Sequence, residues 1–496
     1  MNEQGIATLQ EAMASNATTS RRLVEACLGR IERIDKREPT LRAVLEINPE
    51  AVAIAGDLDR ERVQQGARGP LHGIPVLLKA NIDTADRMTT TAGSLALAGA
   101  IAPEDATVAA RLRAAGAVLL GKTNLSEWAN FRGQRSISGW SSQGGQTRNP
   151  YVLDRSPCGS SSGSAVAVAA GHVPVAIGTE TDGSIICPAH VNGIVGLKPT
   201  VGLVSRFGII PIAHSQDTAG PMTLTVRDAA TLLTVLAGPD PRDPSTASLE
   251  GDASIDYTAY LNADALCGAR IGVARNLLTD HPRVDAIFER ALAILRHRGA
   301  EVVDPANVEH ADRFREAEFE VLLYEFKHDV EAYLERLGPA APAQSLEEII
   351  AFNEAHRDTV MPYFGQETLH LAHVKGSLSE PAYREALSEC RRLSRTEGID
   401  ATLQHHRLDA IVAPSGGPAW LIDPVLGDQG LRGCSSPAAV AGYPHITVPA
   451  GFVGDLPVGL SFFASAFQEP RLISLAYAFE QATHARRSPV FLRTAA

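Results

Sequence analysis

The pattern of hydrophobic positions predicts that the chain begins with helices. Leu23, Cys27 and Ile31 recur at the spacing of one helix face behind the run TTS at 18–20, whose hydroxyls suit a helix N-terminus. A second helix is predicted to start at Asn48, because a capping side chain followed by proline is typical of a first turn. The first 70 residues are therefore predicted to be mainly helical.

Farther along, short apolar runs alternate with stretches of helical periodicity. Strands are predicted at 73–78, 117–120, 173–177 and 269–274, and helices at 105–115, 162–170 and 226–237. Such alternation indicates an α/β fold, in which a large mixed, mostly parallel central sheet is covered by helices on both faces.

The segment from about 309 to 406 carries more charge and has helical periodicity throughout, including 345–356 and 381–395. We interpret it as a helical elaboration that lies over the sheet. Strands are predicted to return at 409–413, 445–448 and 458–463, before a last helix at 470–482. Because the chain shows no internal repeat and large α/β enzymes often form one unit, we predict a single domain over residues 1–496.

Composition and charge exclude several classes of protein. With 45% hydrophobic and 21% charged residues, the 496-residue chain has the composition of an ordinary globular protein with a packed core. Its 45 basic and 57 acidic residues give a net charge of -12, so it lacks the basic surface of a nucleic-acid-binding protein. Its most apolar stretch, 165–178, contains His172 and Pro174 and is shorter than the roughly 18 apolar residues that span a membrane. Neither a nucleic acid nor a membrane is therefore an expected partner.

The N-terminus and the cysteines favour a cytoplasmic protein. The first residues carry neither the basic nor the apolar segment of a secretory signal. The six cysteines lack Cys-x-x-Cys spacing, which argues against a zinc site and a disulfide framework, and Cys158 and Cys187 are expected to be inert thiols in a reducing compartment. The 15 histidines show no His-Glu-x-x-His spacing, so neither a metal nor another cofactor is predicted.

Lys79, Ser160 and Ser184 stand in distinctive contexts. Lys79 ends the apolar run GIPVLLK at 73–79, where burial in a strand would disfavour the charged ammonium group and create a base. Ser160 lies in the run CGSSSGSA at 158–165, and Ser184 closes the run GTETDGS at 178–184. An unprotonated lysine beside serines is a known variant of the hydroxyl nucleophile with an adjacent base. The three residues together predict an amide hydrolase.

Three interpretations compete for the run at 158–165. A phosphate-binding loop would end in Gly-Lys-Ser/Thr, which is missing here. A nucleophile elbow centred on Ser161 would have to follow a strand directly, whereas the preceding segment 149–157 has the composition of a loop. In the third interpretation, Ser160 relays protons between Lys79 and a nucleophile elsewhere in the chain.

The third interpretation agrees with a family resemblance. The motifs GIPVLLK at 73–79, TAGS at 91–94, GKTN at 121–124, GSSSGS at 159–164, GLKPT at 196–200 and DTAGP at 217–221 occur in the order found in the amidase signature family. The chain resembles that family over nearly its whole length. The resemblance implies the amidase-signature fold, with Ser184 as nucleophile, Ser160 as a bridging serine after a cis peptide bond and Lys79 as the terminal base. It also implies that an oxyanion is held by the backbone N–H groups of Thr181, Asp182, Gly183 and Ser184.

The turn before Ser184 departs from the family's usual pattern. Where Asp-x-Gly-Gly-Ser is common, this chain has ETDGS at 180–184, so Asp182 occupies a turn position normally taken by glycine. Asp182 is expected either to be strained or to cap the following turn. The sequence favours neither arrangement over the other.

Three segments narrow the resemblance to bacterial peptide amidases, which remove the C-terminal amide of peptides and release ammonia. They are NLSEWANFR at 124–132, GQTRNPY at 145–151 and VGLVSR at 201–206. The expected substrate is a small-molecule or short-peptide amide. Within the first segment, Trp128, Ala129, Asn130 and Phe131 are candidates for the substrate pocket, and core packing is the alternative for the aromatic side chains.

Other functions stay open at this point. Relatives on the same scaffold hydrolyse aryl, aliphatic and carbamate substrates, so the fold alone does not fix the substrate. The amidase component of a tRNA amidotransferase would carry an arginine soon after the nucleophile, whereas Ser184 is followed by IICP. A non-catalytic binding protein is disfavoured, because all three catalytic positions are filled.

Overall fold

The computed structural model describes residues 4–249 and 255–495. Its strands are β1 (Val44–Ile47), β2 (Pro75–Lys79), β3 (Val118–Thr123), β4 (Trp140–Ser141), β5 (Gly145–Gln146), β6 (Val175–Glu180), β7 (Val195–Lys198), β8 (Thr218–Thr223), β9 (Arg270–Val273), β10 (Glu301–Val303), β11 (Ala410–Pro414), β12 (His445–Val453) and β13 (Leu456–Phe463). Eleven of these described strands form one sheet in the order β1-β3-β2-β6-β8-β7-β12-β13-β11-β9-β10, and β4 pairs with β5 separately.

The sheet is mixed, as predicted, but it is not mostly parallel. Parallel pairing occurs at β3–β2, β2–β6, β11–β9 and β9–β10, whereas the other six contacts of the described sheet are antiparallel. The expectation of a mostly parallel sheet is therefore wrong. One reason is that β12 and β13 form a hairpin across the turn at 454–455, and only antiparallel strands can be joined by so short a turn.

Helices cover the sheet. They are α1 (Ile6–Ala14), α2 (Ser20–Arg30), α3 (Ala51–Gln65), α4 (Thr107–Ala114), α5 (Ser162–Ala169), α6 (Ile186–Val191), α7 (Val226–Leu236), α8 (Pro282–His297), α9 (Arg315–Leu337), α10 (Leu346–Ala355), α11 (Arg357–Val360), α12 (Glu367–His373), α13 (Pro381–Arg391), α14 (Asp400–His406), α15 (Ser436–Ala441) and α16 (Glu469–Thr483). Alternate residues of a strand face opposite sides. Val76 and Leu78 of β2 share a hydrophobic cluster with α4, α7, α8 and α16, whereas Leu77 shares another with α2, α3 and α5. The predicted α/β fold with helices on both faces is confirmed.

Most predicted elements lie within a few residues of their predicted bounds. The predicted strands at 73–78, 117–120 and 173–177 are β2, β3 and β6, and the predicted helices at 105–115, 162–170 and 226–237 are α4, α5 and α7. The N-terminal region holds α1 to α3 and also the edge strand β1, which the pattern did not predict.

The segment predicted as a helical elaboration, about 309 to 406, contains α9 to α14. Of the predicted domain 1–496, residues 1–3, 250–254 and 496 lie outside the described residues. None of the helices in the described part of the chain has both the length and the apolar character needed to cross a membrane.

The two parallel neighbours β2 and β6 determine where the candidate site lies. Leu77 is opposite Ala176 and Leu78 is opposite Ile177, so the carboxyl ends of both strands emerge at the same edge of the sheet. In α/β sheets, that edge is where ligands bind. Lys79 is the last residue of β2, and the segment with Ser184 follows the end of β6.

Candidate active site

Lys79 is fully buried at the end of β2. Its Nζ donates hydrogen bonds to Ser160 Oγ at 2.7 Å, to Thr179 Oγ1 at 2.8 Å and to the Thr179 carbonyl at 3.2 Å. No carboxylate among the described residues accepts a hydrogen bond from it. Burial lowers the pKa of Lys79 from 10.5 to about 7, against the attraction of Asp217 and Glu180. A large share of the lysine is therefore neutral near pH 7, and the neutral amine is the form that can accept a proton.

Ser160 lies in the loop just before α5, and the peptide bond between Gly159 and Ser160 is cis, as the family resemblance implied. The other serine hydroxyls of this run are engaged elsewhere: Ser161 Oγ with the Thr179 carbonyl at 3.0 Å, Ser162 Oγ with the Cys158 carbonyl at 2.6 Å and Ser164 Oγ with the Ile177 carbonyl at 3.0 Å. Ser160 is thus the serine of this run that contacts Lys79. A nucleophile elbow on Ser161 does not fit this arrangement.

Ser184 follows β6 in the turn that leads into α6. Its carbonyl accepts a hydrogen bond from the Ser161 N–H at 3.1 Å, so the segment with Ser184 lies directly against the segment with Ser160. Within residues 4–249 and 255–495, no acceptor is found for the backbone N–H groups of Thr181, Asp182, Gly183 or Ser184. Free N–H groups of one turn are what an oxyanion site requires.

The side chain of Glu180 stabilises this turn through hydrogen bonds to the residues that follow Ser184. Its buried Oε2 accepts hydrogen bonds from the N–H groups of Ile185 at 2.7 Å and Ile186 at 3.0 Å, at the N-terminus of α6. Burial raises the pKa of Glu180. The role of Glu180 was not predicted from the sequence, although its place in the ETDGS run is a signal for it.

The structure resolves the two possibilities for Asp182. Its φ is not positive, whereas the neighbouring Gly183 has φ +75°, so the left-handed position of the turn is taken by glycine. The Asp182 carboxylate accepts hydrogen bonds from Ser435 Oγ and Ser436 Oγ, each at 2.6 Å. Asp182 is therefore neither in a left-handed conformation nor a cap of the following turn; its carboxylate joins the turn to the start of α15.

Thr181 is held by a different partner. Asp217 Oδ1 accepts a hydrogen bond from Thr181 Oγ1 at 2.5 Å, and its Oδ2 accepts from the N–H groups of Ile212 at 2.8 Å and Ala213 at 3.0 Å. Burial raises the pKa of Asp217 to about 6. The side chains of Glu180, Thr181 and Asp182 are thus each engaged by a different part of the fold, whereas the four N–H groups of the turn have no acceptor among the described residues.

A cavity of about 400 Å³ adjoins this turn, and its lining includes Asn81, Ala129, Thr179, Thr181 and Asp217. Of the four predicted pocket residues, Ala129 lines this cavity. Trp128 and Phe131 are buried and pack their rings on Phe326 of α9, at centroid distances of 6.2 and 5.1 Å. Asn130 is half-buried next to them. The contacts of the two aromatic side chains are those of core packing between the 124–132 segment and the helical elaboration.

Cys158 and Cys187 form a disulfide bond, with Cα atoms 5.9 Å apart. The expectation of inert thiols and no disulfide is therefore wrong. The two cysteines are 29 residues apart in the sequence, and only the fold brings them together. Cys27, Cys267, Cys390 and Cys434 are free.

Comparison with known proteins identifies the family. The family model described as Amidase matches residues 22–473. The chain is 41% identical to a probable amidase of Arabidopsis thaliana, covering 99% of this chain and 92% of the relative. It is 36% identical to a glutamyl-tRNA(Gln) amidotransferase component from Symbiobacterium thermophilum, covering 93% of each. The native peptide amidase from Stenotrophomonas maltophilia superposes with a TM-score of 0.95, at 54% identity over 99% of both chains. The chain therefore belongs to the amidase signature family and is an amidase, a hydrolase that acts on carbon–nitrogen bonds.

Proposed function

We propose that the protein hydrolyses C-terminal amides of short peptides through an acyl-enzyme on Ser184, releasing ammonia and the free peptide acid. The observation that carries the reaction is the buried 2.7 Å hydrogen bond between Lys79 and Ser160, beside a turn with free N–H groups. The substrate class is supported by the 54% identity to the Stenotrophomonas maltophilia peptide amidase. The substrate partner is thus a small or short-peptide amide.

In the first half of the reaction, neutral Lys79 accepts the Ser160 proton while Ser160 accepts the proton of Ser184. The Ser184 oxygen then forms a bond to the carbonyl carbon of the amide. The carbonyl oxygen becomes an anion, and the N–H groups of residues 181–184 donate hydrogen bonds to it. A carboxylate partner would keep Lys79 charged, so its hydrogen bonds to hydroxyl and carbonyl groups alone suit the role of base.

In the second half, the carbon–nitrogen bond breaks as the proton returns from Lys79 through Ser160 to the leaving nitrogen, which departs as ammonia. Water then attacks the ester of Ser184 with the same relay as base. The peptide acid is released, and Ser184 regains its proton. With its pKa at about 7, roughly half of Lys79 is in the required neutral form at pH 7.

The test is to incubate the purified protein with a C-terminally amidated peptide and to follow ammonia and the peptide mass together. We expect conversion to the free acid with an intact backbone. The anilide of the same peptide, a simple aliphatic amide, a carbamate and free glutamine serve as comparison substrates. Faster turnover of the anilide, the aliphatic amide or the carbamate would replace the peptide amide by that substrate, and glutamine turnover would favour the amidotransferase alternative.

Two variants test the site itself. Ser184→Ala and Ser160→Ala are each expected to lower kcat by at least about 1,000-fold. Ser164→Ala is the matched control, because Ser164 belongs to the same run but its Oγ donates to the Ile177 carbonyl at 3.0 Å. Its activity should stay within about threefold of the wild type, because its partners, the Ile177 carbonyl and Thr123 Oγ1, take no part in the proposed relay. Undiminished turnover by Ser184→Ala would refute the assignment.

A further inference from the structure

Gln216 links the turn with the free N–H groups to the helical elaboration. The side chain is buried, with 2% of its surface exposed. Its Nε2 donates hydrogen bonds to the Thr181 carbonyl at 3.3 Å and to Glu318 Oε1 at 3.0 Å. An amide nitrogen carries two hydrogens, so both bonds form at once. Glu318 lies in the first turn of α9.

The contact with Thr181 matters because of the geometry of a peptide unit. The C=O of Thr181 and the N–H of Asp182 belong to one planar trans peptide, so they point in opposite directions. A donor that fixes the carbonyl therefore also fixes the direction of the N–H. In the described part of the chain, the Asp182 N–H has no acceptor.

Neighbouring contacts hold Gln216 itself in place. The next residue, Asp217, accepts from Thr181 Oγ1 at 2.5 Å, so consecutive residues hold the side chain and the carbonyl of Thr181. On the other side, the Ser215 N–H donates to Glu325 Oε2 at 2.9 Å. Glu318 and Glu325 both belong to α9. The turn before Ser184 is thus connected to α9 through buried hydrogen bonds.

We propose that Gln216 is a positioning residue, which aims the Asp182 N–H at the substrate oxyanion and is anchored by Glu318 of α9. This inference rests on the proposed acyl transfer at Ser184. By this inference, α9 of the helical elaboration helps to hold the oxyanion site in place. A Gln216 that served only as packing would be replaced by methionine, which has a similar length, with little change in rate.

The test compares Gln216→Met with Gln366→Met. Gln366 is a matched control: it is 3% exposed, and its Nε2 donates to the Ile350 carbonyl and to Glu354 Oε1, each at 3.1 Å. For Gln216→Met we expect kcat on the amidated peptide to fall by about 10- to 100-fold, somewhat less than for direct loss of an oxyanion donor. KM should stay within about twofold, because the lost interaction acts in the transition state. Gln366→Met should keep the wild-type kcat.

A peptide aldehyde gives a second readout. Its carbonyl carbon bonds to Ser184 Oγ, the serine proton ends on the relay or on the adduct, and the new tetrahedral oxygen resembles the oxyanion. We expect Gln216→Met to weaken aldehyde inhibition by about the same factor as kcat. Inhibition by the peptide acid, which forms no tetrahedral centre, should be unchanged. The melting temperature of each variant shows whether it is folded.

Several outcomes would overturn the proposal. One is an unchanged kcat in folded Gln216→Met; another is an equal loss in binding of the aldehyde and the acid. If Gln216→Met does not fold, Gln216→Leu replaces it, because leucine also lacks the donor to Thr181. Its kcat should fall by the same factor of about 10- to 100-fold, and an unchanged kcat in the folded variant would contradict the proposal. If the wild type neither hydrolyses amides nor binds the aldehyde, the proposed function fails, and this inference fails with it.

Discussion

Lys79 Nζ and Ser160 Oγ lie 2.7 Å apart, and neither residue is exposed to solvent. Because only neutral Lys79 can accept a proton, kcat/KM should rise with pH through the lysine pKa of about 7 and level off above it. Lys79→Arg, which stays charged, should be inactive at every pH. A pH–rate profile on one amide substrate checks this. A rate that does not change between pH 6 and 8 would contradict the role of Lys79 as base.

The same lowered pKa predicts an effect on stability. The folded protein disfavours protonated Lys79, so the unfolded chain binds the proton more tightly between about pH 7 and 10.5, and stability rises with pH over that range. Lys79→Met should therefore be more stable than the wild type at pH 7, by about 1–3 kcal/mol, and the difference should shrink at pH 9. Urea unfolding at both pH values measures it. If Lys79→Met has a lower unfolding free energy than the wild type, the hydrogen bonds of the Lys79 amine contribute more to stability than its burial costs.

The Cys158–Cys187 disulfide joins the segment before Ser160 to the helix after Ser184. A bond that closes a loop of this size restricts the unfolded chain, and its loss is expected to cost about 3 kcal/mol. We predict that a Cys158→Ser, Cys187→Ser double variant loses this amount of unfolding free energy. Cys267→Ser is the control, because Cys267 is free and exposed. Equal urea midpoints for the double variant and the control would show that the bond adds nothing.

Asp182 accepts hydrogen bonds from Ser435 and Ser436. Replacing Asp182 by the more usual glycine removes both bonds and adds freedom to the turn, so we expect a loss of about 1–3 kcal/mol in stability and a lower kcat. A Ser435→Ala, Ser436→Ala variant should lose a similar amount. Combining the three changes should cost little more, because they break the same contact. If the stability losses of the Asp182 and serine variants add fully, the hydrogen bonds between Asp182 and the two serines do not cause them.

Arg132 and Glu127 form a buried ion pair, with 2.8 Å between Nη1 and Oε1. Arg132 also donates to the carbonyls of Val360 and Phe364, so it joins the 124–132 segment to the helical elaboration. Arg132→Leu would leave Glu127 buried and unpaired, at a cost of about 3–5 kcal/mol. The Arg132→Leu, Glu127→Leu double variant should regain part of that loss. Urea unfolding of the wild type, the single variant and the double variant measures these free energies.

Local sequence singled out Lys79, Ser160 and Ser184, because each stands in a distinctive run: an apolar strand before the lysine, a Gly/Ser-rich run at Ser160 and the run GTETDGS at Ser184. Their separate roles were predicted from the combination of these runs and from the family resemblance. The strand β8 was missed for a physical reason. It contains Gly220 and Pro221, and both argue against a strand in sequence patterns. In the fold, a Cβ at position 220 would lie 2.1 Å from the Leu197 carbonyl oxygen, so only glycine allows β7 and β8 this approach.

The missed site features depend on the three-dimensional arrangement. The capping role of Glu180 requires the shape of the turn that follows it, and the hydrogen bond from Ser435 to Asp182 joins residues 253 positions apart. The mixed strand order likewise follows from long-range pairing, such as β7 with β12. Apart from the place of Glu180 in the ETDGS run, these relationships leave no periodic or compositional trace in the sequence.

The side chains of the turn before Ser184 are all used to anchor the turn. Glu180, Thr181 and Asp182 are each engaged with a different part of the fold, namely α6, Asp217 and α15. The groups of this turn that have no partner among the described residues are the N–H groups of residues 181–184, and every residue except proline possesses such a group. In the proposed reaction, the turn therefore contacts the scissile carbonyl through main-chain groups, which do not depend on the identity of the side chains along the turn. Substitutions there can change the anchoring of the turn and leave the chemistry of the carbonyl contact the same, which explains how an aspartate can stand at 182.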